Sequence, residues 1–293
     1  MSILISYAVG NGDMFSIKHN SDNFTIIDSS ISEENRDWII ANLKNQGEAK
    51  KISRFISTHA DQDHIMGLEY LDNEIPILNF YCVHNSATKV NETADFKHYC
   101  QLRDGDKAFY IHKNCTRKWM NLSDNEQGSS GLTVLWPDVN NADFQTALQH
   151  SKEGNSPNNI SPILRYSLED GGKFLWMGDL ETDFMEKIEH EVEWPEVDIL
   201  FAPHHGRDTG RVPQSILSRI NPSIIVIGEA PTEHLNYYSG YKTITQNSAG
   251  SIVFECGRNL IHISVSSDSY SVDFLSDYTV DTYADNYIGS LEV

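Results

Sequence analysis

The feature that most constrains this chain is a run of six residues, H-A-D-Q-D-H, at positions 59–64. It follows an apolar segment, residues 52–58, whose alternation predicts a β-strand. A loop at a strand end can aim several side chains at one point, whereas a continuing strand alternates its side chains between two faces. A solvated acidic turn has no reason to be flanked by histidines. The metal-binding side chains of the run are His59, Asp61, Asp63 and His64. The run therefore predicts a metal site.

The mixture of imidazole and carboxylate narrows the kind of metal. These donors together suit zinc, iron or manganese, rather than calcium or a structural zinc held by thiolates. The spacing pairs His59 with Asp61 on one cation. Asp63 and His64 then serve a second cation close by.

Five short motifs follow one another along the chain. They are V-G-N-G-D at 9–13, H-A-D-Q-D-H at 59–64, N-N-I-S at 158–161, G-D-L-E at 178–181 and P-H-H-G at 203–206. In this order they resemble the motifs of the metallo-β-lactamase superfamily, in the variant whose second signature histidine is an aspartate. The resemblance is to the stand-alone competence-protein (ComEC-like) branch, and it extends from about residue 3 to residue 265. Two departures are R-D-T-G at 207–210, where the branch has a serine-rich turn, and E-H-L at 233–235, where it has G-H-P.

Strand and helix patterns alternate in two halves, which indicates a layered α/β protein. The resemblance implies the four-layer αβ/βα sandwich of the metallo-β-lactamase fold. A chain of 293 residues without a linker is expected to form a single domain over 1–293. Residues 80–157 are polar and contain several aromatic side chains; the resemblance implies an insertion or lid over the site there, and peripheral packing is the alternative. The acidic, tyrosine-containing tail at 266–293 stays unassigned between an edge hairpin, an interface element and a loose end.

The resemblance also implies a ligand set for two divalent ions. The residues expected to bind the first ion are His59, Asp61 and Asp179. The residues expected to bind the second ion are Asp63, His64 and His204. The carboxylate of Asp179 would bridge the two ions, because its two oxygens can serve two cations.

The first ion still lacks a ligand, and the sequence leaves the metal open between zinc and manganese. Asn158 and Asn159 stand where the branch has its asparagine. An amide oxygen suits a harder cation, which favours manganese. Zinc stays open as well, with water or His150 in that place.

Further residues are expected to act around the two ions. In the family pattern, Asp63 accepts a proton from the attacking water and His234 donates one to the leaving group. His205 would orient His204 or contact the substrate. Residues expected to brace the metal loop through hydrogen bonds are Asp13 and Asp28. Residues expected to contact a phosphate are Arg207 and Lys242.

Composition bounds the partners and the compartment. Lys and Arg number 22 against 42 Asp and Glu, a net charge of −20, which disfavours nonspecific binding to nucleic acid. A nucleotide substrate stays open, because two divalent cations invert the local potential. The chain lacks the ~20-residue apolar stretch of a membrane span and the features of a signal peptide. Its four scattered cysteines indicate free thiols. We expect a cytoplasmic protein without a membrane partner, of open oligomeric state.

The function predicted from the resemblance is a metal-dependent hydrolase that cleaves a phosphodiester through water activated by two metal ions. Its substrate would be a nucleic acid, a nucleotide or a phosphocholine-type ester. One alternative is a hydrolase of carboxylic esters, thioesters or lactams, but such relatives usually keep histidine at the position of Asp61. Another is a partner-dependent component of a multiprotein defence or toxin system, whose acidic surface docks a basic protein.

Overall fold

Two stacked β-sheets form the centre of the computed structural model, which describes residues 1–278, 280 and 282–293. In this described part, nine strands form one sheet in the order β16-β15-β14-β1-β2-β3-β5-β6-β7 and six form the other in the order β13-β12-β11-β10-β9-β8. The strands of the larger sheet are β1 (Ser2–Ser6), β2 (Phe15–Lys18), β3 (Asn23–Ile27), β5 (Ile52–Ile56), β6 (Phe80–Cys82), β7 (Ala108–Tyr110), β14 (Ile252–Cys256), β15 (Leu260–Val265) and β16 (Tyr287–Glu292). The strands of the smaller sheet are β8 (Leu132–Trp136), β9 (Ile163–Ser167), β10 (Lys173–Trp176), β11 (Ile199–Phe201), β12 (Ile224–Ile227) and β13 (Thr243–Thr245). A two-residue strand, β4 (Ser29–Ser30), bridges to the metal loop.

The described residues also form α-helices that pack on the outer faces of the sheets. They are α1 (Arg36–Gly47), α2 (Gln62–Ile65), α3 (Leu68–Glu74), α4 (Ala94–Arg103), α5 (Ala142–Lys152), α6 (Thr182–Ile188), α7 (Gln214–Ile220) and α8 (Gln246–Ala249). Among the residues described, none of these helices is long and apolar enough to cross a membrane.

Alternation along the strands produces the layers, because successive side chains of a strand point to opposite faces. In β1, Ile3 and Ile5 join the apolar cluster that contains the buried side chains of α1, α3 and α4. Leu4, between them, joins the cluster between the sheets. There the ring of Phe15 from the larger sheet lies 4.8 Å from that of Phe201 in the smaller sheet. The predicted four-layer αβ/βα sandwich is confirmed.

Parallel strands direct several loops toward one edge of the sandwich. β3 and β5 are parallel in the larger sheet, and β10, β11 and β12 are parallel in the smaller one. The motif at 59–64 follows β5, which ends two residues before the predicted limit. The motifs at 178–181 and 203–206 follow β10 and β11. Loops at the carboxyl ends of parallel strands are the usual place for a site in α/β proteins.

The segment 80–157 supplies strands to both sheets. It contains β6 and β7 of the larger sheet and β8 at the edge of the smaller sheet, with α4 between β6 and β7 and α5 after β8. That this segment closes over the site as a lid stays a prediction. The tail at 266–293 ends in β16, which pairs antiparallel with β15 as an edge strand. Two tail residues, 279 and 281, lie outside the described residues.

Candidate metal centre

The carboxylate of Asp179 lies at the centre of four imidazole rings. Its Oδ1 is 3.1 Å from Nε2 of His64. Its Oδ2 is 3.6 Å from Nε2 of His205, 3.7 Å from Nε2 of His204 and 3.8 Å from Nε2 of His59. The side chain of Asp179 is only 3 % exposed. Three strand-end loops thus bring four ring nitrogens within 4 Å of one buried carboxylate.

The other carboxylates of the metal loop lie at the open side of this cluster. Oδ2 of Asp61 is 3.8 Å from Nε2 of His59, and Oδ2 of Asp63 is 3.4 Å from Nε2 of His205. Both carboxylates are 27 % exposed. The sequence prediction paired Asp63 with His204, whereas the structure puts His205 beside it.

Two of the rings are held from behind by carboxylates. Nδ1 of His64 donates to Asp28 at 2.9 Å, and Nδ1 of His205 donates to Asp13 at 3.0 Å. A carboxylate only accepts, so each Nδ1 carries a proton. In the metal-bound form, this arrangement would leave the Nε2 lone pair of each ring facing the cluster, as outer partners of metal-binding histidines do.

The other two rings are held by hydroxyl groups. Nδ1 of His204 lies 2.8 Å from Oγ1 of Thr209. Nδ1 of His59 lies 3.0 Å from Oγ1 of Thr58 and 3.4 Å from Oγ of Ser161. All four histidines therefore turn Nε2 toward Asp179.

Several inward-facing atoms are buried without the hydrogen bonds that such atoms normally make. Among the described residues, Nε2 of His59, His64 and His205 and Oδ1 of Asp179 have no aligned hydrogen-bond partner. The 3.1 Å approach of His64 to Asp179 lacks hydrogen-bond alignment. Buried nitrogen and oxygen donors of this kind, facing one point, fit divalent metal ions. A tight group with one donor atom from each member within 4.8 Å of the others consists of Asp13, His64, Asp179 and His205.

Asp13 belongs to that group by distance, but its hydrogen bond places it behind the ring of His205 rather than at the centre of the cluster. Its Oδ1 accepts from Nδ1 of His205, the nitrogen on the far side of the ring from Asp63. The sequence prediction was that Asp13 braces the metal loop at 59–64, whereas its carboxylate contacts His205 of the loop at 203–206. Asp28 accepts two further bonds, from the amide and hydroxyl groups of Thr58 at 2.7 and 2.6 Å.

The backbone around the cluster adopts conformations that are rare for side chains with a Cβ. Asp28, His204 and His205 have φ of 57°, 52° and 57°, in the left-handed region. Gly178 has φ of 51°, and a Cβ there would lie 2.7 Å from Oγ of Ser161. Such conformations cost about 1–3 kcal/mol each and concentrate at functional sites.

Within the cluster, neighbouring carboxylates and histidines strongly shift one another's pKa values. Burial by itself would raise the pKa of Asp179, but the charges of His64, His205 and His59 hold that pKa well below its usual value. Burial would lower the pKa of His64, yet Asp179 and Asp28 hold it well above the ordinary histidine value. The pKa of His59 falls well below that value, through burial and then the charge of His64.

His205 and Asp63 form a second coupled pair. Against the effect of burial, Asp13 and Asp179 raise the pKa of His205 to about 10. Burial would raise the pKa of Asp63, but the close approach of His205 and the charge of His64 lower it to about 2. Without metal, protons on the histidines therefore supply the positive charge that the carboxylates require. A divalent cation that binds here would displace them.

The predicted asparagines contact a different acid. Asn159 donates to Oε2 of Glu181 at 2.7 Å and accepts from the Glu181 amide at 3.0 Å. Asn158 lies 3.5 Å from Oε1 of the same residue, and its own Oδ1 has no partner in the described part of the chain. His150 lies on the exposed face of α5.

Three residues predicted to contact substrate have other neighbours. Arg207 donates to Oδ1 of Asn11, in the N-terminal turn. The Lys242 ammonium lies 5.7 Å from the ring centroid of Phe274. His234 is half-buried on the loop after β12, with its ring 5.1 Å from that of Tyr237.

Sequence reasoning missed several residues of the site. Ser161 belongs to the N-N-I-S motif, but the motif did not indicate that its hydroxyl lies behind His59. Thr209 and Thr58 carry no sequence signal beyond their closeness to motif residues. Lys89, from the segment 80–157, forms an ion pair with Oδ1 of Asp61, and no pattern around it indicates that contact.

Comparison with known proteins supports the fold. No family model matches the chain, and no curated protein matches it. Among solved structures, Igni18, a metallo hydrolase from the archaeon Ignicoccus hospitalis, is 16% identical, with a TM-score of 0.50 over 87% of this chain and 99% of that one.

Two further solved structures are more distant. CmlA, a diiron β-hydroxylase from Streptomyces venezuelae, has a TM-score of 0.41 at 12% identity, over 78% of this chain and 44% of that one. A candidate zinc-dependent hydrolase of the metallo-β-lactamase superfamily from Thermotoga maritima has a TM-score of 0.33 at 12% identity, over 79% and 78%. The architecture and the likeness to Igni18 together define the metallo-β-lactamase fold.

Proposed function

We propose that this chain is a metal-dependent hydrolase with two divalent ions, zinc or manganese, at the cluster around Asp179. The observation that carries the proposal is the convergence of four Nε2 atoms on one buried carboxylate, each ring held at Nδ1 from behind. Hydrogen bonds at the far nitrogen are typical of metal-binding histidines, since they fix the ring and its tautomer.

Asp61 lies beside His59 and Asp63 beside His205, which supports a division of the ligands between the two ions. The residues that would hold the first ion are His59, Asp61, Asp179 and His204. The residues that would hold the second ion are Asp63, His64, Asp179 and His205. His204 would thereby supply the fourth ligand that the sequence left unassigned at the first ion. Bound ions of this kind lower the pKa of water and stabilise negative charge on a reacting oxygen.

The protein's own groups would manage the protons. Asp63 remains ionised at neutral pH and is partly exposed, so its carboxylate would accept a proton from water and pass it to solvent. His234 stands after a neighbouring parallel strand, and its Nδ1 is buried without a partner among the described residues. We assign it the role of proton donor to the leaving group.

A phosphodiester is the substrate class that we propose, and the competence-protein branch is the proposed relationship. The five motifs in their order support both assignments, because that branch and its relatives act largely on phosphodiesters. Asp61 supports them further, since lactamases and thioesterases of the superfamily usually have histidine there. Because one fold hosts many reactions, the substrate class must be tested by an assay.

The test is hydrolysis of bis-p-nitrophenyl phosphate by protein that has been stripped with a chelator and reloaded with zinc or manganese. We expect turnover only after reloading, and the more active metal identifies the preferred ion. Asp63→Ala should lower kcat by about 10²–10⁴-fold, the usual contribution of a positioned proton acceptor. His190→Gln, an exposed histidine outside the cluster, should leave kcat unchanged.

Parallel assays with p-nitrophenyl acetate and a β-lactam test the alternative substrate class. Turnover of those substrates without turnover of the phosphodiester would move the chain to the carboxylic hydrolases. Metal-independent turnover, or equal rates for Asp63→Ala and the parent protein, would contradict the proposed site.

A further inference from the structure

A single lysine reaches the metal centre from the segment 83–93, between β6 and α4. Its ammonium forms an ion pair with Oδ1 of Asp61, while Oδ2 of the same carboxylate faces Nε2 of His59 at 3.8 Å. The Lys89 side chain is 26 % exposed and lies 5.9 Å from the ring centroid of Phe96. Lys89 thus contacts Oδ1 of Asp61 and leaves Oδ2, which faces His59, free for a metal ion.

Hydrogen bonds on both sides of Lys89 tie its segment to neighbouring helices. Before it, the amide of Thr88 donates to the carbonyl oxygen of Ser151 at 3.1 Å, near the end of α5. After it, the hydroxyl of Thr93 donates to Oε1 of Gln62 at 2.8 Å, within the metal loop. Lys89 is therefore held at the mouth of the site, unlike a freely moving surface lysine.

We propose that Lys89 determines specificity by binding the anionic group of the substrate, an inference that rests on the proposed function. A metal ion on Oδ2 would draw the negative charge of Asp61 away from Lys89. The ammonium of this side chain, which is only 26 % exposed, then needs another anion close to the ions. A nonbridging oxygen of a phosphodiester at the metal centre meets this need, whereas a neutral ester does not.

The test measures binding of inorganic phosphate to the metal-loaded protein by titration calorimetry, with metal content measured in the same samples. We expect Lys89→Met to weaken phosphate binding by about 10- to 100-fold, the range for a hydrogen bond to a charged group. Lys89→Arg should restore it to within a few-fold. The matched control, Lys97→Met on the exposed face of α4, removes the same charge and should leave phosphate affinity unchanged. Each variant should retain two ions per chain.

Kinetics provide a second reading of the same variants. With bis-p-nitrophenyl phosphate, Lys89→Met should raise KM more than it lowers kcat. With the neutral triester diethyl p-nitrophenyl phosphate, it should leave the rate unchanged. Equal losses on the diester and the triester would overturn the proposal, because a residue that binds an anion discriminates between them.

Other outcomes also separate the hypotheses. Loss of metal in Lys89→Met would show that the lysine only positions Asp61. Phosphate binding that is unchanged in Lys89→Met, or undetectable in the parent protein, would overturn the proposal outright. If phosphate binding depends on Lys89 but no diester is cleaved, the proposed function fails and the anion site stands. If the diester is cleaved and phosphate affinity does not depend on Lys89, the anion site fails and the proposed function stands.

Discussion

Replacement of Asp28 by asparagine would test whether the outer partners of the histidines control metal affinity. The carboxylate accepts from Nδ1 of His64 at 2.9 Å and keeps the proton on that nitrogen. It also accepts from the amide and hydroxyl groups of Thr58. Asparagine has nearly the same volume, but with its oxygen toward Thr58 its amide nitrogen would face Nδ1 as a donor. The ring proton would then move to Nε2, the atom that faces Asp179.

The size of the effect follows from the bonds that change. Loss of an outer partner lowers metal affinity by about 10- to 100-fold. That range corresponds to ~1.4–2.7 kcal/mol, close to the ~1.5–3 kcal/mol of a hydrogen bond to a charged group. Since His64 is assigned to the second ion, we expect this loss at one of the two ions only.

The assay is competition for zinc or manganese with a chromophoric chelator, at one pH and one ionic strength. Asp72→Asn is the matched control, because Asp72 makes a similar 2.9 Å contact with His98 outside the cluster. Thermal unfolding of both chelated variants tests for a general folding defect. Equal metal affinities in Asp28→Asn and the parent protein would refute the reasoning, and so would an equal loss in Asp72→Asn.

Three further predictions concern stability and pH. Gly178→Ala should lower the free energy of unfolding by about 1–3 kcal/mol in thermal denaturation, because its Cβ would meet Ser161 at 2.7 Å and its φ is 51°; an unchanged midpoint would contradict this. Removal of metal by a chelator should lower the melting temperature, because an ion present at 100 times its Kd contributes ~2.7 kcal/mol to the free energy of unfolding; a constant melting temperature would exclude a resident metal. In the chelated protein, the pKa of His205 is raised from 6.5 to about 10, so its protonated form stabilises the fold fully below pH 6.5 and this contribution is lost as the pH rises toward 10. Across that interval, the melting temperature should fall with pH in the chelated parent and stay nearly constant in His205→Gln. Parallel curves for the two proteins would rule out His205 as the cause.

Local patterns predicted a layered α/β protein with a metal loop, and the resemblance of the five motifs implied the four-layer fold and most members of the cluster. Strand alternation and the order of the five motifs indicated which residues follow which strand ends. Asp179 is a good example: a Gly-Asp pair alone means little, but its place within the fourth of the five motifs predicted a bridging position between the two ions. The structure brings it within 3.1–3.8 Å of four histidines.

What the sequence could not predict depends on backbone direction and on long-range contacts. Two consecutive left-handed residues, His204 and His205, decide which ring approaches Asp63, and residue spacing does not encode that turn. Lys89 reaches Asp61 only because β6 and α4 bring its segment back over the metal loop.

The partners behind the histidines also set an order of assembly. Ser161 lies 102 residues after His59, and Asp13 lies 192 residues before His205. Contacts between residues so far apart in sequence form late, because closing the long loop between them costs entropy before the contact stabilises the chain. During synthesis, the N-terminal half would emerge with its metal loop complete and its central carboxylate still missing. The site can therefore load its ions only after the second sheet has docked on the first, which makes metal uptake a marker for the final step of folding.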